Sequence, residues 1–355
     1  MKLIHCADIH LDSPLETNLP HEKARQRRNE ICASFVRMTQ YAKKNGVCAV
    51  LICGDLFDGM RVYDATVSAV LSAIKEAPEI KFFCLRGNHD EDSAAFRTRK
   101  LPENLVTFRD DPQSFEIGDI VISGIEPKSG DDFYEKLVLS PEKFNIVMLH
   151  GQVSPAPADG CLCLSKLRGR NIDYLALGHI HSYKSESLDG RGAWCYSGCL
   201  EGRGFDECGE KGFVLLDIEN GVSKREFVPF ASRTLHEIRA DISGLREFPD
   251  ILSAALKASG KIDSGDLVKL VLTGECAPDA QKDMPRLLDI LSEKFYFAKI
   301  KDETSLPVPD DIENEISLRG AFIREVMAAD GLLDREKESI IRLGLDALYG
   351  RELSL

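Results

Sequence analysis

Five short apolar runs in this chain each stop at residue types that bind metal ions, and that pattern limits the fold more than any other feature. LIHCA runs into Asp8 and His10, VCAVLIC into Gly54 and Asp55, IKFFCL into Arg86, Gly87, Asn88 and His89, NIVML into His150, and IDYLAL into Gly178, His179 and His181. Near-continuous hydrophobicity over so few residues marks strands buried on both faces, so the expected architecture is a sheet covered by helices or by a second sheet. The polar residues then lie at strand C-terminal ends, the edge where loops of an α/β sheet converge over one crevice. Glycines at 54, 87, 151 and 178 adjoin them and leave room for close approach.

The segments between these runs alternate in type. Up to about residue 100 the order is strand, helix, strand, helix, strand, with a helix over 21–45 that places Ile31, Phe35 and Met38 at helical spacing. From residue 104 shorter runs separated by Asp-Pro and Gly-Asp turns read as antiparallel strands, and 193–197, 212–218 and 223–230 as a second meander. The fold class expected is α/β, with two sheets face to face, helices outside, and a small C-terminal α/β domain with a terminal helical hairpin. Residues 1–232 form the chemistry-bearing domain and 233–303 a capping domain with strands near 234–240, 266–273 and 296–301 and helices over 247–258 and 279–294. Residues 304–355 form a linker and two helices, 312–329 and 335–349, with Ile316, Ile323 and Met327 on one face of the first and Ile341, Leu345 and Leu348 on one face of the second. A chain of 355 residues with 43% hydrophobic content can bury a core for such a set of domains.

Composition narrows the setting. The start, Met1-Lys2-Leu3-Ile4-His5, reads as strand rather than signal peptide, and no run of 18 apolar residues is present, so a cytoplasmic, non-membrane protein is expected. Eleven cysteines, an odd number placed mostly inside apolar runs, read as buried thiols and not as a disulfide framework. A net charge of −13 repels a polyanion, so any nucleic-acid affinity has to be local or supplied by a partner.

The polar set itself points to a two-metal hydrolytic site, which needs oxygen and imidazole donors, one bridging carboxylate and an opening for water and phosphate. Asp55 is the natural bridge; Asp8, His10 and His181 complete one metal, and Asn88, His150 and His179 the other. Five of the eight histidines, His10, His89, His150, His179 and His181, fall in these segments. Donors without thiolate suit manganese first, with iron, zinc or magnesium as alternatives.

Asp-x-His, Gly-Asp, Gly-Asn-His-Asp, His and Gly-His-x-His, in this order over about residues 1–200, resemble the calcineurin-like metallophosphoesterase superfamily. Within it, the start from Ile4 to Asp12, the Gly-Asp-Leu-Phe-Asp block and the added C-terminal domain resemble DNA-repair exonucleases of the SbcD type, nuclease subunits that pair with a coiled-coil ATPase. The resemblance implies that Asp8, His10, Asp55, Asn88, His150, His179 and His181 are metal ligands and that His89 faces the phosphate and leaving group. Where some nuclease relatives carry a histidine, this chain has Asp58. The implied reaction is in-line attack of hydroxide, generated at neutral pH by two divalent cations, on a phosphodiester phosphorus, with His89 stabilising charge or protonating the leaving oxygen. Asp90 orients His89 in this reading or serves as a turn or cap residue. Asp12 and Asp58 support the ligands or serve as turn and cap residues.

Arg61, Arg86, Lys166, Arg168, Arg170 and Arg203 lie near the motifs, either tracking a DNA backbone or as solvated charges, and Lys23, Arg25, Arg27 and Arg28 read as the outer face of a helix. The final helices either dock on a partner, such as the ATPase subunit, or pack on their own domain, and a homodimer is compatible with the sequence. The leading expectation is a metal-dependent DNA exonuclease or endonuclease acting in repair. Its competitors are a phosphatase or cyclic-nucleotide phosphodiesterase of the same superfamily and a non-catalytic scaffold.

Overall fold

The computed structural model describes residues 1–15, 19–59, 62–87, 99–108, 111–126, 133–307 and 316–350. The chain divides into two compact units, Met1–Thr234 and Leu235–Leu355. In the first, β1 (Lys2–Cys6), α1 (His21–Lys44), β2 (Val47–Cys53), α2 (Asp64–Lys75), β3 (Lys81–Leu85) and β4 (Leu105–Thr107) follow one another. Next come β5 (Gln113–Ile117), β6 (Ile120–Gly124), β7 (Phe144–His150), β8 (Val153–Ser154), β9 (Leu162–Cys163), the single turn α3 (Leu164–Leu167) and β10 (Tyr174–Gly178). The unit ends with β11 (Lys184–Ser187), β12 (Ala193–Tyr196), β13 (Gly212–Glu219) and β14 (Val222–Pro229).

These strands build two six-stranded sheets, ordered β14-β13-β1-β2-β3-β4 and β11-β12-β10-β7-β6-β5. The apolar runs alternate in the faces they present. Ala49, Leu51 and Cys53 of β2 meet Ile146, Met148, Tyr174 and Ala176 of the other sheet in one core, while Val50 and Ile52 are buried on the opposite face of β2, the strand that α1 packs against. In the second sheet Leu175 and Leu177 turn away from that core to pack with Leu164, Leu167, Trp194 and Tyr196. Both faces of each central strand are thus removed from water, which is why their sequences show no polar alternation.

The expected α/β class with two facing sheets is what the fold shows. Its pairing differs from expectation in three places. Leu105–Thr107 runs parallel to β3 in the first sheet instead of joining an antiparallel meander. The segments 193–197 and 212–230 belong to different sheets: β12 lies parallel to β10, and β13 with β14 forms a hairpin whose first strand is antiparallel to β1. The polar edge strand β11, Lys184 to Ser187, pairs with β12 and carried no apolar signal.

The second unit contains β15 (Leu235–Asp241), α4 (Phe248–Ser259), β16 (Leu267–Thr273), α5 (Met284–Lys294), β17 (Phe297–Asp302), α6 (Leu318–Ala328) and α7 (Asp334–Leu348). Its three strands form a parallel sheet in sequence order. Helix α5 starts at Met284 rather than 279 because Asp283, in a left-handed conformation, accepts the Arg286 N–H and caps it. Of the apolar residues expected to share helix faces in the hairpin, Ile323, Ile341 and Leu345 are buried against Leu306, whereas Ile316, Met327 and Leu348 are exposed.

Candidate metal centre

Parallel register brings the strand ends together. Cys6 lies beside Ile52 and Gly178 beside His150, so the residues that follow emerge along one edge. The loops after β1 and β2 then continue as a zipper: the Asp8 N–H donates to Gly54 O at 3.1 Å, His10 N–H to Asp55 O at 2.9 Å and Leu11 N–H to Leu56 O at 2.9 Å. Asp8, His10, Asp55 and His179 have φ of 50°, 48°, 51° and 104°, conformations that cost a non-glycine residue about 1–3 kcal/mol each and that cluster where a fixed side-chain direction matters. Gly54 and Gly87 provide the close approach expected of them. A Cβ at Gly54 would fall on the His150 ring, and one at Gly87 on the Asp55 carboxyl and amide.

Asp8, His10 and Asp55 are almost wholly buried. Two groups of side chains present ligand atoms to a common point: Asp8, His10 and His181, and Asp8, Asp55 and His150. His10 Nε2 is 3.3 Å from His181 Nε2, His10 Nε2 is 3.7 Å from Asp55 Oδ2, and His150 Nε2 is 3.4 Å from Asp55 Oδ2. Asp8 belongs to both groups, and Asp55 Oδ2 faces one imidazole of each, so both carboxylates stand between the two positions. His179 stacks edge-on against His150 with ring centres 5.4 Å apart, and its backbone N–H donates to both Asp8 oxygens at 2.9 and 3.0 Å. Asn88, His89 and Asp90 lie outside the described residues, as does Arg61.

Donor chemistry tests whether cations fit. His150 Nδ1 is 2.9 Å from the Cys53 carbonyl, which can only accept, so the proton sits on Nδ1 and Nε2 presents a lone pair. That buried Nε2 has no hydrogen-bond partner and faces a carboxylate oxygen. Two acceptors aimed at each other require a positive charge between them. In the protein alone a proton serves: although burial lowers the His150 pKa, Asp55 and Asp8 outweigh it and the net shift is upward. Burial pushes the Asp8 carboxyl up to about 6 against the pull of His150 and His181. The donor set, oxygen and imidazole without thiolate, suits a hard or borderline divalent cation.

Comparison with known proteins decides the family. Residues 1–183 match the calcineurin-like phosphoesterases. The chain belongs to that family. YhaO of Bacillus subtilis, an uncharacterized metallophosphoesterase, is 26% identical over 90% of this chain and 83% of its own length. The DNA double-strand break repair protein Mre11 of Methanopyrus kandleri is 23% identical over 99% of this chain and 82% of its own. Among solved structures, a dimetal phosphatase from Danio rerio superposes with a TM-score of 0.41 at 12% identity, covering 65% of this chain and 99% of that one. GAP50 of Plasmodium superposes with 0.42 at 14%, covering 64% and 84%. Members of this phosphoesterase family use two divalent metals, and the two groups of ligand atoms fit that number.

Around the phosphoesterase ligands, one residue escaped sequence reasoning and the others take up one of the roles weighed for them or a different one. Glu207 accepts the His181 Nδ1–H at 2.7 Å; burial alone would raise its pKa, but His181 and Arg203 hold it down at about 2. Arg203 is no solvated charge, since its side chain is 16% exposed and bound to Glu207. Arg27, expected on an outer face, is 1% exposed and donates to Glu30, Glu201 and the Gly202 carbonyl. Asp12 accepts from Tyr63 N and Thr66 Oγ, which makes it a cap at the start of α2. Arg86 is paired with Glu126 and Arg170 with Glu135. Cavities of about 620 Å³ by Lys81 and about 480 Å³ by Phe144 and Ala193 lie where strands begin and include none of the ligand residues.

Proposed function

We propose that this phosphoesterase is a metal-dependent DNA nuclease, an exonuclease or endonuclease that hydrolyses phosphodiester bonds in repair. The observation that carries the reading is the extent of the likeness to Mre11: it spans 99% of the chain and so runs through the second unit as well as the phosphoesterase unit. When bound, divalent cations, manganese first among them, supply Lewis acidity toward a phosphoryl oxygen and a nucleophile at neutral pH. Asp8 and Asp55 provide the negative charge the two positions share, and His10, His150 and His181 direct lone pairs to them. His89 meets the phosphate and the leaving group and Asp90 orients it, both as sequence-based assignments. The exposed Ile316, Leu318, Met327 and Leu348 of the terminal hairpin support docking of a coiled-coil ATPase subunit there. The described helices include none long and apolar enough to cross a membrane, and the free cysteines support a reducing, cytoplasmic setting.

Manganese-loaded protein is expected to cut end-labelled single- or double-stranded DNA, and Asp55→Asn to abolish cutting. DNA left intact by the loaded protein, with and without an ATPase partner, refutes the proposal. The net charge of −13 favours a second reading, a phosphatase or cyclic-nucleotide phosphodiesterase acting on small substrates. Hydrolysis of bis-p-nitrophenyl phosphate without DNA cleavage is the outcome that selects it.

A further inference from the structure

Two of the candidate ligands are held from behind by one arginine. His181 Nδ1 donates to Glu207 Oε1 at 2.7 Å, and His10 Nδ1 lies 3.5 Å from Asp58 Oδ1. Arg203 stands between these carboxylates. Its Nη2 donates to Glu207 Oε1 at 2.8 Å, its Nε to the same oxygen at 3.3 Å and its backbone N–H to Oε2 at 2.8 Å, while its Nη1 is 3.8 Å from Asp58 Oδ2. Nη2 also lies 3.3 Å from His181 Nδ1, but the Glu207 carboxylate can only accept and is 2.7 Å from that nitrogen, so the proton sits on Nδ1 and the imidazole donates to Glu207. The bond to Glu207 turns the His181 Nε2 lone pair inward, Asp58 faces His10 Nδ1 at ion-pair distance, and the two Nε2 atoms lie 3.3 Å apart. The chain closes on itself: His10, Asp58, Arg203, Glu207, His181 and back to His10.

The other group is built differently. His150 is oriented by the Cys53 carbonyl and packs beside His179, whereas the Arg203 contacts run to Glu207, His181 and Asp58. We propose that Arg203 is a positioning residue that, through Asp58 and Glu207, fixes the two imidazoles of one cation position only, so that the imidazoles of the two positions have separate supports. This rests on the reading that the cluster takes two cations.

The sign of the effect separates positioning from simple electrostatics. A guanidinium so close to a cation repels it, so if charge alone mattered, Arg203→Met would bind metal more tightly. If Arg203 positions the ligands, the variant binds one cation less tightly, on the scale of the about 10–100-fold losses seen when the partners behind metal ligands are removed. Equilibrium binding of manganese to the full chain, counted as free ion by electron paramagnetic resonance, reads both positions. The wild type is expected to bind two ions. Arg203→Met and Glu207→Leu are expected to bind one ion as the wild type does and the other at least tenfold more weakly; the retained ion shows that the fold survives. Glu207→Gln, whose amide oxygen still accepts from His181, is expected to fall between Glu207→Leu and the wild type, and it decides the matter if the harsher variants do not fold. Two ions bound with wild-type or greater affinity by every variant that folds overturn the role of Arg203. Fewer than two ions in the wild type overturn the two-cation reading instead.

Discussion

His5 is the residue whose burial has the most measurable consequence. It faces the second sheet from β1, with Nδ1 2.8 Å from Tyr174 Oη and Nε2 3.1 Å from the Leu177 carbonyl. A carbonyl only accepts, so Nε2 carries the proton and Nδ1 accepts from the phenol. The neutral ring is satisfied, and a second proton would be placed in a core that is closed to water. Burial accordingly lowers its pKa from 6.5 to about 3, with the Leu177 hydrogen bond opposing only in part. Because the folded pKa lies below the unfolded one, the unfolded chain binds the extra proton first as pH falls. Stability from this group is full above 6.5 and is lost progressively down to about 3. At about 1.4 kcal/mol per pH unit, the loss between about pH 7.5 and about pH 4.5 is about 2.7 kcal/mol. His5→Gln keeps an amide donor for Leu177 and an acceptor for Tyr174 but does not titrate. The only tryptophan, Trp194, is buried in β12 of the same unit, so urea unfolding followed by its fluorescence reports on that unit. The wild type should lose about 2.7 kcal/mol more than His5→Gln over that pH interval. A difference below about 1 kcal/mol refutes the argument that His5 is held neutral.

Further outcomes follow from other buried groups. Arg27→Met leaves Glu201, 1% exposed, with only the longer and more exposed guanidinium of Arg37, and is expected to cost about 3–5 kcal/mol in the same unfolding assay. Gly87→Ala forces a methyl onto Asp55 and is expected to weaken manganese binding at least about tenfold by calorimetry with little change in global unfolding. Of the eleven free cysteines, only Cys32, Cys48, Cys161 and Cys208 are partly accessible, so native protein should react rapidly with at most four equivalents of an aromatic disulfide reagent and with eleven after denaturation.

What could be read from the sequence is what local periodicity encodes. The strands ending at Asp8, Asp55, His150 and His179 announced themselves because a doubly covered strand has no polar face. Pairing partners are not local, so the placement of β12 and β13 in different sheets was hidden although both segments were identified as strands. Glu207 and Arg203 sit in an irregular loop between β12 and β13 where no period exists, and only the fold brings them behind His181. Arg27 is a different case. It falls on the stripe of Ala24, Ile31, Phe35 and Met38, so the helical phase placed it inward while its charge, and the basic neighbours Lys23, Arg25 and Arg28, suggested otherwise. Its inward position is tolerable because Glu30 and Glu201 meet it there.

The paired hydrogen bonds between the loops after β1 and β2 make Asp8, His10 and Asp55 parts of one ribbon, not three independent appendages. An insertion of a single residue in either loop would shift every rung beyond it. Anyone transplanting this centre into another scaffold would therefore have to move both stretches together as one cassette, with their common register intact.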